Sequence, residues 1–358
     1  MDLVALIMAG GKGERFWPKS RRSRPKQFLP IVGKRTMLQE TVHRISSMVP
    51  RERVFISTSE EYRELVEEQL PWLKPENLIL EPEGRDTAAC VGYASLIIRR
   101  CLPEAVTVVL PADHHITDVA GFLRVLRLAA QWAARGDHLV TIGIEPTGPE
   151  TGYGYIERGE PVEELEGLSV FAVGSFREKP DRATAAEYLA TGRFLWNSGM
   201  FLWRTELLLA MLERHLPELY RGLEAIDAAL DTPRQDAVVR EIFCALPRVS
   251  IDYGLLEHAA QVLVVPGDFG WDDVGTWTAV ERLHEHDENG NLISGRGVAM
   301  DTRNCILESS GRLVAALGVE DLIIVDTEDV VMVSSKDKAQ EIKRLLSELS
   351  RNNLQAHL

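Results

Sequence analysis

The first half of the chain alternates short apolar runs with stretches in which apolar residues recur at helical spacing. Runs rich in Val, Ile and Leu are typical of strands that are buried on both faces of a sheet. They predict strands over Leu3–Ala9, Arg53–Ser57, Leu78–Glu81, Val106–Leu110 and Leu139–Ile144. The intervening stretches predict helices over Met37–Met48, Ser59–Leu70, Thr87–Arg100 and Val119–Ala134. This alternation predicts an α/β fold, with a Rossmann-like, mostly parallel sheet flanked by helices on both faces.

The pattern changes after about residue 150, where strand-like and helix-like segments no longer alternate regularly. The strand-like segments are Tyr153–Glu157, Val170–Arg177 and Phe194–Arg204. The helix-like segments are Ala183–Ala190, Thr205–Arg214, Glu218–Leu230 and Gln235–Ala245. We interpret this part of the chain, about residues 150–260, as a substrate-binding insertion on the sheet.

A third pattern begins near Glu288, where short apolar pieces are separated by Gly, Asn and Asp. Short strands at this spacing indicate a small all-β unit. The pieces are Leu313–Leu317, Leu322–Val325 and Val330–Val333. An amphipathic helical pattern over Lys336–Leu349 follows them. We therefore predict two domains, a large α/β domain over residues 1–287 and a small β unit with a terminal helix over residues 288–358.

The charge of the chain is unevenly distributed. The whole sequence has 40 basic and 54 acidic residues, which gives a net charge of −14. Residues 1–53 alone have twelve basic against four acidic residues, a net charge of +8. A basic opening segment on an acidic protein indicates a local binding site for an anion.

Several classes of protein do not fit the composition. The apolar start of the chain has Asp2 where a signal peptide has positive charge, and no run approaches the roughly 20 apolar residues of a membrane helix. The cysteines form no Cys-x-x-Cys pair, so we expect free thiols and a cytoplasmic protein. The basic stretch Arg21–Arg24 lacks interleaved aromatic residues, so we expect no binding to nucleic acid. Because no long apolar run is present, we expect no membrane partner either.

The strongest chemical signal is the glycine-rich segment Ala9–Arg15, which directly follows the first predicted strand. Glycines at this position let backbone N–H groups approach an anionic ligand closely. The spacing is not that of the dinucleotide fingerprint, because Phe16 replaces the third glycine, and it is not that of the P-loop. A plain β-turn with a solvated charge run is the structural alternative. Because several cations up to Lys26 follow within one loop, we favour polyphosphate binding.

Two acidic segments could hold a divalent cation. Asp113 follows a buried strand, where ligands bind to open α/β sheets, but aspartate is also common in plain turns. Asp272 and Asp273 lie between glycines and could bind a cation, but either of them could instead cap the helix predicted over Trp277–Leu283. The two histidines after Asp113 have no further His or Cys at ligand spacing, so we do not expect them to bind a metal.

Three weaker signals combine polar residues with glycine or proline at the ends of predicted strands. They are Gly152–Ile156, Arg177–Pro180 and Trp196–Phe201. Glu178 and Asn197 could form hydrogen bonds with sugar hydroxyls, and Lys179 could bind a phosphate. Each segment is also compatible with a structural turn or a surface ion pair.

Taken together and in this order, the motifs resemble the sugar nucleotidyltransferase family, and within it the mannose-1-phosphate guanylyltransferases of the bacterial GDP-mannose type. The resemblance rests on Gly10–Arg15, Pro25–Phe28, Glu81–Ala88, Pro111–His114, Asn197–Phe201 and Trp271–Gly275. It implies a nucleotide-diphospho-sugar transferase fold for residues 1–287 and a short left-handed β-helix-like segment within residues 288–358. It also implies the Mg²⁺-dependent reaction of mannose 1-phosphate with GTP, which gives GDP-mannose and pyrophosphate by in-line attack on the α-phosphorus.

The resemblance also implies roles for residues at the matching positions. Arg15 and Lys26 would be catalytic by neutralising the phosphates, and Asp113 and Asp273 would hold the Mg²⁺. The residues that would bind the nucleotide are Gly10, Gly11, Gly13, Glu81, Arg85, Asp86 and Thr87. The residues that would bind mannose 1-phosphate are Gly154, Glu178, Lys179, Asn197 and Ser198. Asp252 matches a further family segment to which no role is assigned.

The resemblance further implies a homodimer, joined through the C-terminal β unit, and a monofunctional chain that lacks the phosphomannose isomerase domain of longer relatives. Two alternatives stay open. One is a nucleotidyltransferase for another hexose 1-phosphate or another NTP, and the other is a non-catalytic nucleotide-sugar sensor. The missing third glycine argues against a third alternative, an NAD-dependent oxidoreductase.

Overall fold

The computed structural model describes residues 2–165 and 167–358. The strands, in chain order, are β1 (Leu3–Met8), β2 (Val54–Ser59), β3 (Leu78–Glu81), β4 (Val106–Pro111), β5 (His115–Ile116), β6 (Leu139–Ile144), β7 (Tyr155–Leu165), β8 (Leu168–Arg177), β9 (Phe194–Arg204), β10 (Val262–Gly267), β11 (Trp271–Asp272), β12 (Leu292–Ser294), β13 (Gly297–Met300), β14 (Ile306–Ser309), β15 (Val314–Leu317), β16 (Leu322–Asp326) and β17 (Val331–Ser335). The helices are α1 (Met37–Ile45), α2 (Arg63–Gln69), α3 (Asp86–Cys101), α4 (Val119–Arg135), α5 (Arg182–Thr191), α6 (Thr205–His215), α7 (Pro217–Ala229), α8 (Gln235–Phe243), α9 (Trp277–Arg282) and α10 (Ile342–Arg351).

Contacts between residues divide the chain into two compact units, and each unit is built from separate pieces of sequence. The first unit contains the chain up to Gly10, Thr41–Pro111 and Ile116–Trp271. The second contains Gly11–Glu40, Ala112–His115 and Asp272–Leu358. The predicted division into residues 1–287 and 288–358 stays a prediction. The glycine-rich loop after β1, and the turn after β4 that carries Asp113, both belong to the second unit.

The first unit is built on a nine-stranded mixed sheet. The strand order is β3-β2-β1-β4-β9-β6-β10-β8-β7. Strands β1 to β4 are parallel to one another, as are β6 and β10. Strand β9 runs antiparallel between β4 and β6, and β7 and β8 add an antiparallel pair at the far edge. The predicted parallel sheet is therefore confirmed for the first strands, while the part after residue 150 contributes the antiparallel strands.

Helices cover the sheet of the first unit. Helices α3, α6, α7 and α8 pack against one another, and they share an apolar core with Val4 and Leu6 of β1. Helix α4 packs against β4, β6, β9 and β10 with its own buried side chains. Because side chains alternate between the faces of a strand, Ala5, between Val4 and Leu6, points to the other face. Within the described residues, no helix is long and apolar enough to cross a membrane.

The second unit contains a β-helix-like coil. Strands β12, β14 and β16 form one parallel ladder, and β13 and β15 form another, so successive strands alternate between two small sheets. The predicted all-β unit is confirmed, and the left-handed sense of its coil stays a prediction. Its core holds Ile306 and Ile323 from the coil together with Phe16 and Trp17, which come from the glycine-rich loop. Burial of these aromatic side chains anchors that loop within the unit.

Three local predictions were wrong. Lys336–Leu349 is not one helix, because a 3₁₀ turn over Lys336–Glu341 precedes α10. A similar 3₁₀ turn over Glu60–Tyr62 precedes α2. Neither aspartate of the Asp-Asp pair caps α9, because the residue before that helix is Thr276, whose side chain makes no capping hydrogen bond. The backbone beyond the aspartates turns before the helix begins, so their carboxylates accept hydrogen bonds from nearer N–H groups.

Candidate functional site

The glycine-rich loop is held in one conformation by its neighbours in the second unit. Gly13 has a left-handed backbone with a φ of +59°, and a Cβ there would lie 2.5 Å from the Cβ of Lys26. Only glycine fits this position, because a side chain would meet both strain and a clash. The Ser20 hydroxyl donates to the carbonyl of Gly13 at 2.7 Å, and the Gln27 amide donates to the carbonyl of Gly11 at 2.7 Å. A Cβ on Gly11 would meet no atom within 4 Å, so the backbone there is accessible to a ligand.

Lys26 is a buried cation whose ammonium lies among oxygen atoms. Its exposed fraction is 3%. The Nζ atom lies 2.6 Å from Oδ2 of Asp113, and it donates to the carbonyl oxygens of Asp273 at 2.9 Å and Val274 at 3.1 Å. The ring of Phe16 lies beneath the ammonium, with its centroid 5.6 Å away. The structure therefore brings the two aspartates that the sequence singled out to one common cation.

Asp113 stays ionised although it is partly buried. Burial would raise the pKa of its carboxyl group, but the charges of Lys26 and His114 more than offset this effect and lower the pKa below its usual value. The carboxylate therefore carries its charge at neutral pH, where it is paired with Lys26.

Asp273 and Asp272 have different surroundings although they are adjacent. The Asp273 Oδ1 atom accepts from the N–H of Gly275 at 3.0 Å, within a tight turn in which Val274 has a φ of +47°. That turn directs the carbonyl oxygens of residues 273 and 274 at Lys26. The Asp272 carboxylate is bound instead by Arg282, with Oδ2 2.7 Å from Nη2. The two carboxylates therefore have different partners, and the choice of Asp273 as a metal-binding residue stays a prediction.

The oxygen atoms around Lys26 are of the kinds that bind a divalent metal ion. Carboxylate and carbonyl oxygens are the ligands that Mg²⁺ prefers, and here they already surround a positive charge. Among the described residues, no group of three or more His, Cys, Asp or Glu side chains could hold a metal by itself. A metal held by Asp113 and Asp273 would therefore complete its shell with oxygens from water or from a bound ligand.

Arg15 has an unused donor next to the glycine-rich loop. It lies in a 3₁₀ turn over Glu14–Phe16. Its Nε atom is buried and has no hydrogen-bond partner in the described part of the chain. Because a buried donor without a partner costs free energy, the guanidinium is suited to an anion that supplies the missing acceptor.

In the first unit, Glu81 is buried at the end of β3. Its exposed fraction is 6%, and its Oε1 atom accepts from the Ser57 hydroxyl at 2.9 Å. The thiol of Cys90 donates to the same hydroxyl at 3.3 Å. Burial raises the pKa of the Glu81 carboxyl group, and hydrogen bonds from Cys90 and Ser57 offset this only in part. Sequence reasoning identified Glu81 but missed Ser57 and Cys90, which carry no motif signal.

The start of α3 is tied to a distant segment of the first unit. Asp86 has a left-handed backbone with a φ of +65°, and its Oδ1 atom accepts from the N–H of Thr87 at 2.8 Å. The hydroxyl of Thr87 accepts from the N–H of Ile251 at 2.8 Å. Arg85 pairs with Glu83 at 3.0 Å. The predicted nucleotide-binding residues Arg85, Asp86 and Thr87 therefore lie together and are positioned by residues of a different segment.

A second polar cluster of the first unit is formed by Gly154, Glu178, Asn197 and Asp252. The Asn197 Nδ2 atom donates to Oδ1 of Asp252 at 2.7 Å, and its Oδ1 atom accepts from the N–H of Gly199 at 3.0 Å. A Cβ on Gly154 would lie 3.1 Å from Oε2 of Glu178 and 3.5 Å from Cβ of Asn197. The three segments that the sequence identified only as weak signals are therefore brought together, with Asp252 as a fourth member.

The Asp252 carboxyl group is strongly perturbed. Burial raises its pKa to about 6, and the negative charges of Glu178 and Asp86 act in the same direction, while the hydrogen bond from Asn197 opposes them. Perturbed carboxyl groups are frequent at functional sites. The sequence contained only the Ser250–Gly254 match as a signal for this residue, without a role.

Two other residues predicted for sugar-phosphate binding differ in their surroundings. Lys179 is exposed, and its Nζ atom lies 2.6 Å from Oε1 of Glu178, so it can exchange this surface ion pair for a phosphate. Ser198 is buried, and its hydroxyl donates to the carbonyl of Ile142 at 2.6 Å and accepts from the N–H of Met200 at 3.2 Å. The Ser198 hydroxyl therefore holds the strand backbone in place.

Comparison with known proteins assigns the family. Residues 4–290 match the family described as Nucleotidyl transferase. The chain belongs to the nucleotidyl transferase family. Residues 295–349 match the MannoseP isomerase/GMP-like beta-helix domain, in agreement with the coil of β12–β16. Enzymes of this family generally use a divalent metal ion.

Individual relatives are similar along nearly the whole chain. The mannose-1-phosphate guanylyltransferases of Klebsiella pneumoniae and Escherichia coli are each 42% identical over 98% of this chain and 74% of their own length. A solved structure from Thermus thermophilus, described as a mannose-1-phosphate geranyltransferase, has a TM-score of 0.87 at 36% identity and covers 98% of this chain and 100% of its own. The family resemblance and the fold class expected from the sequence are thereby confirmed.

Proposed function

We propose that this chain is a mannose-1-phosphate guanylyltransferase, which converts GTP and mannose 1-phosphate into GDP-mannose and pyrophosphate. The observation that carries the proposal is the 42% identity, over 98% of the chain, to proteins named for this activity. The contact between the Lys26 ammonium and the Asp113 carboxylate supports it, because phosphoryl transfer depends on cations and metal-binding carboxylates at the phosphates.

The proposed reaction needs no covalent intermediate on the protein. A phosphate oxygen of mannose 1-phosphate attacks the α-phosphorus of GTP, a new P–O bond forms, the bond between the α-phosphorus and the bridging oxygen breaks, and pyrophosphate leaves. The protein must then align the two substrates and stabilise the charge on the leaving pyrophosphate.

We assign the phosphate chemistry to the second unit. Asp113 and Asp273 would hold a Mg²⁺ ion, which supplies neutralisation of the phosphate charge when it is bound. The unpaired Nε donor of Arg15 supports its role in binding the triphosphate and the leaving pyrophosphate. Lys26 would contact a phosphate as well. The backbone N–H groups of Gly10, Gly11 and Gly13, in the loop after β1, would approach the nucleotide.

We assign base, ribose and sugar recognition to residues of the first unit. The proposed nucleotide-binding residues there are Glu81, Arg85, Asp86 and Thr87. The proposed residues for mannose 1-phosphate are Gly154, Glu178, Lys179, Asn197 and Ser198. Lys179 would bind the sugar phosphate, Glu178 and Asn197 would bind hydroxyls, and Ser198 would act through the strand backbone that its hydroxyl already holds.

We further propose a cytoplasmic homodimer joined through the β-helix-like coil. The four cysteines are free thiols, as suits a reducing compartment. Large apolar side chains are exposed on neighbouring strands of the coil, with Met300 of β13 at 60% and Leu317 of β15 at 64% exposed fraction. These two residues are paired directly across the ladder. A contiguous exposed apolar patch of this kind is typical of a protein–protein interface.

A substrate panel tests the proposed reaction. Pyrophosphate release is measured with each combination of GTP, ATP, UTP and dTTP with mannose 1-phosphate and glucose 1-phosphate, with and without Mg²⁺. We expect GTP with mannose 1-phosphate to be the fastest pair and to require the metal. Faster turnover of UTP or dTTP with glucose 1-phosphate would overturn the substrate assignment, and binding of GDP-mannose without Mg²⁺-dependent turnover would indicate a sensor instead.

A further inference from the structure

The ammonium of Lys26 lies against the Asp113 carboxylate and the backbone carbonyl of Asp273, the two residues to which the proposed function assigns a metal ion. We propose that the Lys26 ammonium neutralises this site in the absence of nucleotide and so prevents a divalent metal from binding. When a polyphosphate binds, its anionic oxygens replace the protein oxygens as partners of the ammonium, and the metal can then bind. This inference rests on the proposed function, because it takes Asp113 and Asp273 as the metal-binding residues. It goes further by assigning to Lys26 the coupling between metal binding and nucleotide binding.

The hydrogen bonds of Lys26 are fully used within the second unit. An ammonium group has three N–H donors. Here its partners are the Asp113 carboxylate at 2.6 Å and the carbonyl oxygens of residues 273 and 274 at 2.9 and 3.1 Å. A lysine side chain that is exposed to solvent before phosphate binds would not have three protein partners for its ammonium.

Contacts to the backbone of Lys26 and to its ammonium also restrict the residue. Lys26 begins a 3₁₀ turn, Lys26–Phe28, and its backbone lies against Gly13, where a Cβ would come within 2.7 Å of the Lys26 nitrogen. The Phe16 ring lies under the ammonium, and its face favours a cation. Because only 3% of the residue is exposed, the ammonium has little freedom to move aside for a second cation.

The positive charge of the Lys26 ammonium determines how this arrangement affects metal binding. A divalent ion bound to Asp113 would lie next to the ammonium, and two like charges in a buried position repel strongly. A polyphosphate supplies anionic oxygens that accept the ammonium, and the Asp113 carboxylate then becomes available. Binding of the metal and of the nucleotide would therefore favour each other, and by linkage the two effects must be equal in size.

The first experiment measures binding of Mn²⁺ alone, without nucleotide, by electron paramagnetic resonance of the free ion. We expect Lys26→Met to bind Mn²⁺ about tenfold more tightly than the wild type, which is in the usual range of coupling between two sites. Lys19→Met is the matched control, because it removes the same charge from the same loop while its ammonium pairs with Glu308 at 2.6 Å. The control should bind Mn²⁺ as the wild type does.

A double variant separates failure of this inference from failure of the proposed site. If Lys26→Met gains Mn²⁺ affinity and Lys26→Met/Asp113→Asn loses the gain, both the site and the role of Lys26 are supported. If the gain persists in the double variant, Asp113 is not the metal-binding residue and the proposed site is wrong. If Lys26→Met binds Mn²⁺ no more tightly than the wild type, the inference about Lys26 is wrong and the proposed function is unaffected.

A measurement on the wild type decides the question even if Lys26→Met does not fold. The ammonium of Lys26 should give a resolved ¹⁵N–¹H signal in protein labelled with ¹⁵N-lysine, because its protons are buried and hydrogen-bonded; Lys26→Arg identifies the signal. We expect Mg²⁺ alone to leave the signal unchanged, and Mg²⁺ with GTP to shift it. A shift with Mg²⁺ alone would overturn the proposal.

Discussion

The buried carboxyl group of Asp252 leads to a quantitative prediction about stability. Its pKa is raised from 3.8 to about 6, mainly by burial. The charged form is therefore less favourable in the folded protein than in the unfolded chain. Asp252→Asn removes this ionisation and keeps the shape of the side chain, so we expect the variant to be more stable than the wild type at neutral pH.

The size of the effect follows from the same pKa. A rise from 3.8 to about 6 corresponds to roughly 3 kcal/mol against the charged form. This pKa already includes the opposing hydrogen bond from Asn197. We therefore expect a gain of roughly 3 kcal/mol in the free energy of unfolding at neutral pH.

The two pKa values determine how the stability difference between the variant and the wild type changes with pH. Well below pH 3.8 the group is protonated in both the folded and the unfolded chain, so the wild type and Asp252→Asn should be equally stable. As the pH rises towards 6, only the unfolded chain releases the proton freely, and the wild type loses stability relative to the variant. Above about pH 6 the full difference should be present and constant.

Urea unfolding of both proteins between pH 4 and pH 8 measures this difference. Asp236→Asn is the control for the loss of one negative charge, because it removes the charge of an exposed aspartate from the same unit. The reasoning would be refuted by a stability difference that does not change with pH, or by a variant that is less stable than the wild type at pH 7.5. A ¹³C titration of the Asp252 carboxyl group with a midpoint near 4 would refute the cause.

Three further predictions concern the second unit. Asp113→Asn and Asp273→Asn should each lower turnover by about a thousandfold without changing the circular dichroism spectrum, because each removes a charge from the proposed metal site; wild-type turnover in either variant would remove that residue from the site. Gly13→Ala should lower the melting temperature, because the new Cβ would lie 2.5 Å from the Cβ of Lys26 in a left-handed turn. Gly11→Ala is the control: its Cβ would meet no atom within 4 Å, so it should melt as the wild type does. Met300→Glu should convert the proposed dimer to a monomer in size-exclusion chromatography with light scattering, and an unchanged mass would argue against an interface at β13.

Local patterns predicted most of the secondary structure. The bounds of β3, β6 and β9 agree with the predicted segments, and β6 is a continuous apolar run that is buried throughout. Strand β10 was missed although Val262–Val265 is such a run. It is parallel to β6, which lies more than a hundred residues earlier, and nothing near it in the sequence indicates that pairing.

Motif order identified the candidate site without its contacts. The sequence singled out Asp113, Lys26 and the Asp-Asp pair, and the family resemblance favoured Asp273 over Asp272 as a metal-binding residue. The structure adds the left-handed turn at Val274 and the ion pair between Asp272 and Arg282. Both depend on how the backbone turns before α9.

The sequence by itself determined the fold class, and it predicted a loop for anion binding after β1, because hydrophobic spacing and glycine content act through neighbouring residues. Only the tertiary structure decided which groups share a site. Lys26 meets Asp113 and the carbonyl oxygen of Asp273, and Asn197 meets Asp252, across separations of 55 to 247 residues in the chain. Their hydrogen bonds and pKa values depend on distances and burial, which exist only once the strands and turns have packed together.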